Sequence, residues 1–335
     1  VMAWMKRIDA MAVLHAKATP PKDPSGKDIS KVYVSAAGHD LQQLLQKFLL
    51  GSVAFSQGVD DYLDDDTEGK GLNLQNDKGD KDGAAYTSLE HAWDEGFGYW
   101  GASRDYGDYT DDELSGKATT KKSYFDTDKD GAIDLLTEYN YGHCINAAKR
   151  DRGSNADAKT DFSKAIFEAF VQGRHIISSA KGALSADAMK DLKAQRDLIV
   201  MGWEKSIAAT AIHYINDVQG DIAKVGEAQK GQACFDPCVA GGKAEADCKT
   251  SCTYNFYNHA KHWSELKGFA LSLQFSRWSP LAKDFAKVHD LIGDAPVLPK
   301  AGEEAKMAAY SKALNEAKTL IGAAYQFDAK NVAGW

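Results

Sequence analysis

Between Leu41 and Leu63 apolar side chains fall at positions 41, 44, 45, 48, 49, 53, 55, 59, 62 and 63, the three-and-four spacing of a helix with one buried face. Asp40, just ahead of this run, offers a side-chain oxygen to the first free backbone N–H groups. The same rhythm recurs over Ser88–Trp100, Leu135–Ala148, Asp161–Ser179, Ser185–Val218, Thr253–Phe275, Leu281–Ile292 and Glu303–Tyr325, and no turn-bounded alternating stretch competes with it. An amphipathic helix buries its apolar stripe against another such stripe, so the chain is predicted to be all-α and built of helical bundles.

At 335 residues the chain suggests two fused bundles: an N-terminal extension over 1–34, a first bundle over 35–180 and a second over 181–335. Two segments share the pattern Trp-x-Glu-x-x-Gly-aromatic, one with Trp93, Glu95, Gly98 and Tyr99, the other with Trp263, Glu265, Gly268 and Phe269. The helices ahead of them, 52–63 and 208–218, also correspond loosely. A duplicated helix pair about a pseudo-twofold axis is therefore expected, bringing Glu95 and Glu265 together where the halves meet. The alternative is a packing signature used twice.

Hydrophobic residues make up 44% and charged residues 26%, which excludes wholesale disorder. The formal charge of −8, with no basic patch, argues against nucleic acid and for cations as ligands. No apolar run reaches the roughly 18–20 residues of a membrane span. Val1–Leu14, carrying Lys6, Arg7 and Asp9, reads as an amphipathic segment rather than a signal peptide, so any export signal or lipid anchor is expected to have been removed.

Four of the five cysteines occupy one stretch, Cys234-x3-Cys238-x9-Cys248-x3-Cys252. This spacing suits two short antiparallel segments joined by the loop Val239–Asp247 and stapled by nested disulfides, Cys234–Cys252 and Cys238–Cys248. The competing reading is a four-thiolate zinc site, which usually has tighter CxxC knuckles. Disulfides would place the protein in an oxidising compartment. Cys144, left over, reads as a small buried hydrophobe.

Asp60–Gly83 and Ser103–Ser123 are rich in carboxylates and glycine and poor in apolar residues, and read as long acidic surface loops, functional or ordered by cations. The sharpest chemical signal follows, in the run from Asp126 to Asp134. Asp126, Asp128, Asp130 and Asp134 stand at positions 1, 3, 5 and 9 of a calcium loop, Ala132 supplies a backbone carbonyl at position 7, and Gly131 permits the sharp turn. Thr137 occupies position 12 and Glu138 comes one residue late, so the short DxDxDGxxD loop is expected, with Glu138 as a further ligand. The ion would pin the loop to a helix beginning near Leu135; a solvated acidic turn is the alternative. Asp77-x-x-Asp80-x-Asp82-Gly83 is a weaker variant of the same theme.

Glu90, His91, Asp94 and Glu95 lie on one predicted helix, and His91 and Glu95, one turn apart, could hold iron or zinc. In the second segment Glu265 and His262 could complete a shared site. The alternative is packing beside Trp93, Phe97 and Trp100. His175 and His213 are lone histidines on apolar helices and read as satisfied boundary residues. No GxSxG, HExxH, phosphate loop or dinucleotide fingerprint is present, so the common hydrolase, zincin, nucleotide and hydride mechanisms lack their parts.

The segments SVAFSQGVDDYL, YTSLEHAWDEGFGYWG, YFDTDKDGAIDLL, WEKSIAATAIHYINDV and HWSELKGFALSLQF, in this order, resemble the imelysin-like proteins, bacterial envelope proteins of the DUF4856 type. The resemblance implies two fused helical bundles, a periplasmic or lipid-anchored location, an association with iron acquisition and, through the imelysin name, a peptidase label. It sets His91 and Glu95 at the family's histidine–glutamate helix and Glu265 at its second-half counterpart; Leu89 stands at the family's glycine place. Three functions follow as expectations. They are a periplasmic or surface-attached protein that binds a metal ion or small ligand for uptake, a metallopeptidase, and a calcium-stabilised module contacting another envelope protein.

Overall fold

The computed structural model describes residues 1–77, 83–119, 121–230, 235–244, 248 and 253–335, excepting the side chains of 226–230 and 235–237. Among them are twelve α-helices and no strand: α1 (Met2–Ala16), α2 (Leu41–Leu49), α3 (Ser88–Trp100), α4 (Asp111–Leu114), α5 (His143–Arg152), α6 (Phe162–Ser179), α7 (Ala186–Lys230), α8 (Phe235–Ala240), α9 (Phe256–Ser272), α10 (Phe285–Ile292), α11 (Glu304–Ala324) and α12 (Ala329–Gly334). The all-α expectation holds. The Leu41–Leu63 rhythm gives α2 followed by π-helical turns over Leu50–Phe55 and Gln57–Tyr62, and Asp40 caps it by accepting from the Gln43 N–H at 3.1 Å. No helix among the described residues is long and apolar enough to cross a membrane.

Compact units do not follow chain order. Val1–Phe48, Ala211–Leu271 and Lys283–Gln326 form one, and Leu49–Thr210, Ser272–Ala282 and Phe327–Trp335 form the other. In the first unit Met11, Leu41 and Leu44 pack with Trp4 and Ile8, while Ile29, Val34, Phe256 and Ala260 make a second apolar cluster. Trp263 is buried and its indole N–H donates to the Tyr310 hydroxyl at 2.8 Å. Gly268 lets α9 press against α2, because a Cβ there would stand 2.5 Å from that of Lys47.

The second unit is organised around α3 and α6. Trp93 is buried, donates its N–H to the Phe170 carbonyl at 2.8 Å, and lies against Gly173, where a Cβ would stand 2.0 Å from the ring. The start of α6 is capped from α5, since the buried Asp151 carboxylate accepts the Phe162 and Ser163 N–H groups at 2.8 and 2.7 Å.

Three expectations are corrected. The helix expected over Leu135–Ala148 begins only at His143, with Leu135 and Leu136 68% and 89% exposed. Asp134 takes the Leu136 N–H and the Thr137 hydroxyl, each at 2.8 Å, and Tyr139 bridges to Tyr124, so the backbone is diverted after a single turn. In the cysteine-rich stretch the first of the two short segments is helical, α8, and runs into the expected loop at Val239 and Ala240. The acidic run Asp64–Asp66 is ordered by the protein's own cations. Arg277 pairs with all three carboxylates, and Lys193 and Arg196 reach Asp65 at 2.9 and 3.3 Å, which holds the Asp65 carboxyl down at about 2.

Candidate functional site

Among the described residues, the set of three acidic or histidine side chains whose ligating atoms lie within 4.8 Å of one another is Asp126, Asp128 and Asp130. Sequence determines this convergence locally. Asp126 accepts from the N–H groups of Asp130 and Gly131 at 3.2 and 3.0 Å, and Asp128 from that of Asp130 at 3.1 Å, so the backbone curls around its own carboxylates. Gly131 has φ +90°, a left-handed conformation that a glycine adopts without strain. The Asp130 N–H favours charge on Asp128, yet desolvation, and after it crowding by the Asp130 and Glu138 carboxylates, raises its carboxyl above the usual range. A cation would relieve that crowding.

The remaining residues of the motif shape the loop. Asp134 caps the turn at Leu136 and Thr137. Glu138 is 3% exposed, and its two oxygens accept from the Thr127 N–H (2.6 Å), the Thr127 hydroxyl (2.7 Å), the Asp128 N–H (3.3 Å) and the Asp134 N–H (2.9 Å). The Thr127 hydroxyl, then the Asp134 and Thr127 amides, pull its carboxyl down to about 2. Ala132 donates its N–H to Asp130 at 2.8 Å, a further turn of the backbone around the loop's own carboxylates.

The loop also borders a groove of about 650 Å³ whose walls include Trp93, Phe97, Phe167, Phe170 and Arg174. Leu136, from the loop itself, is part of that lining, and the Arg104 N–H donates to the Thr137 carbonyl at 3.2 Å.

On α3, His91 and Glu95 are 3.4 Å apart and both partly exposed, with the Tyr86 ring stacked on the imidazole. Glu90 closes a capping box with Thr87 and pairs with Arg174 at 2.6 Å, and Asp94 binds the same guanidinium at 3.0 Å. The structure therefore unites His91 with Glu95 and commits Glu90 and Asp94 to Arg174. Glu95 belongs to the second compact unit and Glu265 to the first. Glu265 is buried 3.6 Å from the Lys47 ammonium, and burial lowers the Lys47 pKa against the pull of that carboxylate. The two repeated glycines also differ: Gly98 has open space where Gly268 meets a helix. His262, on α9, donates from Nδ1 to Asp221 at 2.7 Å. Asp221, with Asp217 and His213, forms a stripe on α7 at every fourth residue.

Cys238 and Cys248 are joined in a disulfide, Cα atoms 5.6 Å apart, so the four-thiolate zinc set is not formed. The partner pair Cys234 and Cys252 lies outside the described residues, as do Asp80 and Asp82 of the weaker cation motif. Cys144 is buried, and its thiol is pushed well above the usual range by burial.

A family described as "Domain of unknown function (DUF4856)" matches residues 22–235, more than half of the chain. No curated protein and no solved structure matches it.

Proposed function

The chain belongs to the DUF4856 family, and from that premise we propose that it is a calcium-stabilised, metal-handling binding protein of an oxidising compartment, periplasmic or surface-attached. The observation that carries this reading is the convergence of Asp126, Asp128 and Asp130 within 4.8 Å on a loop tied shut by Glu138. Three crowded carboxylates cost free energy unless a hard cation shares them, and alternating oxygen ligands with a glycine turn favour calcium. Ion binding would order Leu136 and Thr137, and with them one side of the adjoining groove, whose aromatic lining and Arg174 suit a small ligand. The Cys238–Cys248 disulfide supports the compartment. An uptake role for iron or another metal rests on the imelysin-like resemblance and on the acidic balance of the chain.

Thermal unfolding in calcium and in EDTA tests the reading. Calcium at about 100 times its dissociation constant should stabilise by about 2.7 kcal/mol, and Asp128→Ala should erase the difference. Equal melting of the native chain in both buffers would refute it.

A further inference from the structure

The groove beside the acidic loop combines a packed aromatic wall with uncovered apolar side chains. Phe97 lies 6.1 Å from Phe167 and 5.4 Å from Phe170, ring centre to ring centre, and Trp93 lies 5.9 Å from Phe170, all at steep angles. Rings packed in this way hold one another in place. The same groove is lined by Leu136 and Val171, which remain 89% and 53% exposed. Covering such surface with an apolar body is favourable, because it releases the water that lies against it.

Arg104 and Arg174 also line the groove, and their situations differ. Arg174 is held by Glu90 at 2.6 Å and by Asp94 at 3.0 Å. Arg152, Arg196 and Arg277 are likewise held by carboxylates. Arg104 makes no ion pair among the described residues, and Asp134 attracts it only from beyond ion-pair distance. Its backbone is nevertheless fixed. The Arg104 N–H donates to the Thr137 carbonyl at 3.2 Å, and the N–H of the buried Ser103 donates to Asn140 Oδ1 at 2.6 Å. The exposed guanidinium is thus presented from a held segment with its donors open to a ligand.

We propose that this groove binds a small amphipathic monocarboxylate, with the carboxylate on Arg104 and an aromatic or branched apolar body against Phe97, Phe167, Leu136 and Val171. A planar guanidinium matches a carboxylate through two parallel hydrogen bonds. The volume of about 650 Å³ falls within the roughly 300–1,000 Å³ of small-molecule sites. One open cation suits one anionic group. A second would meet Glu90 and Asp94, whose two charges outnumber that of Arg174. An exposed ion pair contributes little by itself, so the apolar body supplies most of the affinity and Arg104 selects the charge. The proposal rests on the small-ligand part of the function above and is independent of its calcium part.

Full-length protein is titrated calorimetrically with naphthylacetate and, in parallel, with its uncharged amide, in calcium and in EDTA. One equivalent of the acid should bind about fivefold more tightly than the amide. Arg104→Gln should bring the acid down to the affinity of the amide, and Arg104→Lys, which keeps the charge and loses the fork, should restore part of the preference. Val171→Glu should weaken the acid more than the amide. Both positions are exposed, so these variants should fold as the native chain does. Equal affinity for acid and amide, or an unchanged preference in Arg104→Gln, would overturn the carboxylate class and leave an apolar groove. Binding of neither probe by the native chain would overturn the groove as a small-ligand site as well. Acid binding that persists without any calcium effect on melting would support this proposal and contradict the calcium part of the function alone.

Discussion

Glu138 Oε1 accepts both the backbone N–H and the hydroxyl of Thr127, at 2.6 and 2.7 Å, and so fastens the end of the acidic loop to its beginning. The carboxylate that the calcium-hand pattern misplaces by one residue has a structural task of its own. It holds in place the loop on which Asp126, Asp128 and Asp130 converge.

That clasp gives a pH signature. The Glu138 carboxyl falls from an ordinary 4.5 to about 2 in the folded chain. A depressed carboxylate stabilises above its unfolded pKa, and its contribution is lost as the pH falls from about 4.5 through about 2. Amide exchange across residues 126–138 should accelerate in that window for the native chain. Glu138→Gln should show fast exchange already at neutral pH, and an unchanged pattern would remove the clasp from the account.

The contact between Trp93 and Gly173 sets the spacing of α3 and α6. Gly173→Ala forces a Cβ toward a rigid ring, and overpacking of that kind costs about 1–3 kcal/mol. Trp93→Ala should cost about 3–5 kcal/mol, from the lost burial and the cavity left. Denaturant unfolding of both variants checks the order, Trp93→Ala being the more damaging.

Much of this was legible in sequence, and the limits have physical causes. The apolar period located α3 and α6 to within a residue, since the expected Ser88–Trp100 and Asp161–Ser179 become Ser88–Trp100 and Phe162–Ser179. Leu135 and Leu136 misled, because two adjacent leucines before a real helix read as its first turn, whereas Asp134 hydrogen-bonds that backbone into a loop. The aspartate triad was legible because its three members alternate within five residues of one loop. The partners of Asp64, Asp65 and Asp66 were not, since Arg277 lies more than 200 residues away in the chain and no local pattern links them. The contacts of His262 with Asp217 and Asp221 were not legible, since helix packing brings α9 to α7.

The Cys238–Cys248 bond closes a short loop, ten residues in sequence separation. Chain-entropy arguments give a loop of that size about 2.7 kcal/mol. Cys238→Ser should destabilise by no more than this. Under non-reducing conditions neither Cys238 nor Cys248 should take up iodoacetamide, and the buried Cys144 should react only after unfolding. Mass mapping of alkylated peptides reads both statements at once.

The first unit should carry an acid sensitivity at higher pH. Burial, helped by Lys267, lowers His289 from 6.5 to about 4. The unfolded chain binds that proton more readily, so stability should fall as the pH drops from about 6.5 to about 4, opposite in sign to a paired histidine. His289→Phe should make the fall of melting temperature across that window shallower, the remainder coming from His259, which burial also lowers to about 4. An equally steep native and variant profile would assign the slope elsewhere.

Isothermal titration of calcium into the chelator-stripped, full-length chain tests the central claim most directly. The account predicts one ion per chain, bound with heat that disappears in Asp126→Asn and in Asp128→Ala and persists in Arg104→Gln. No calcium heat in the native chain, or full heat in both aspartate variants, would contradict it.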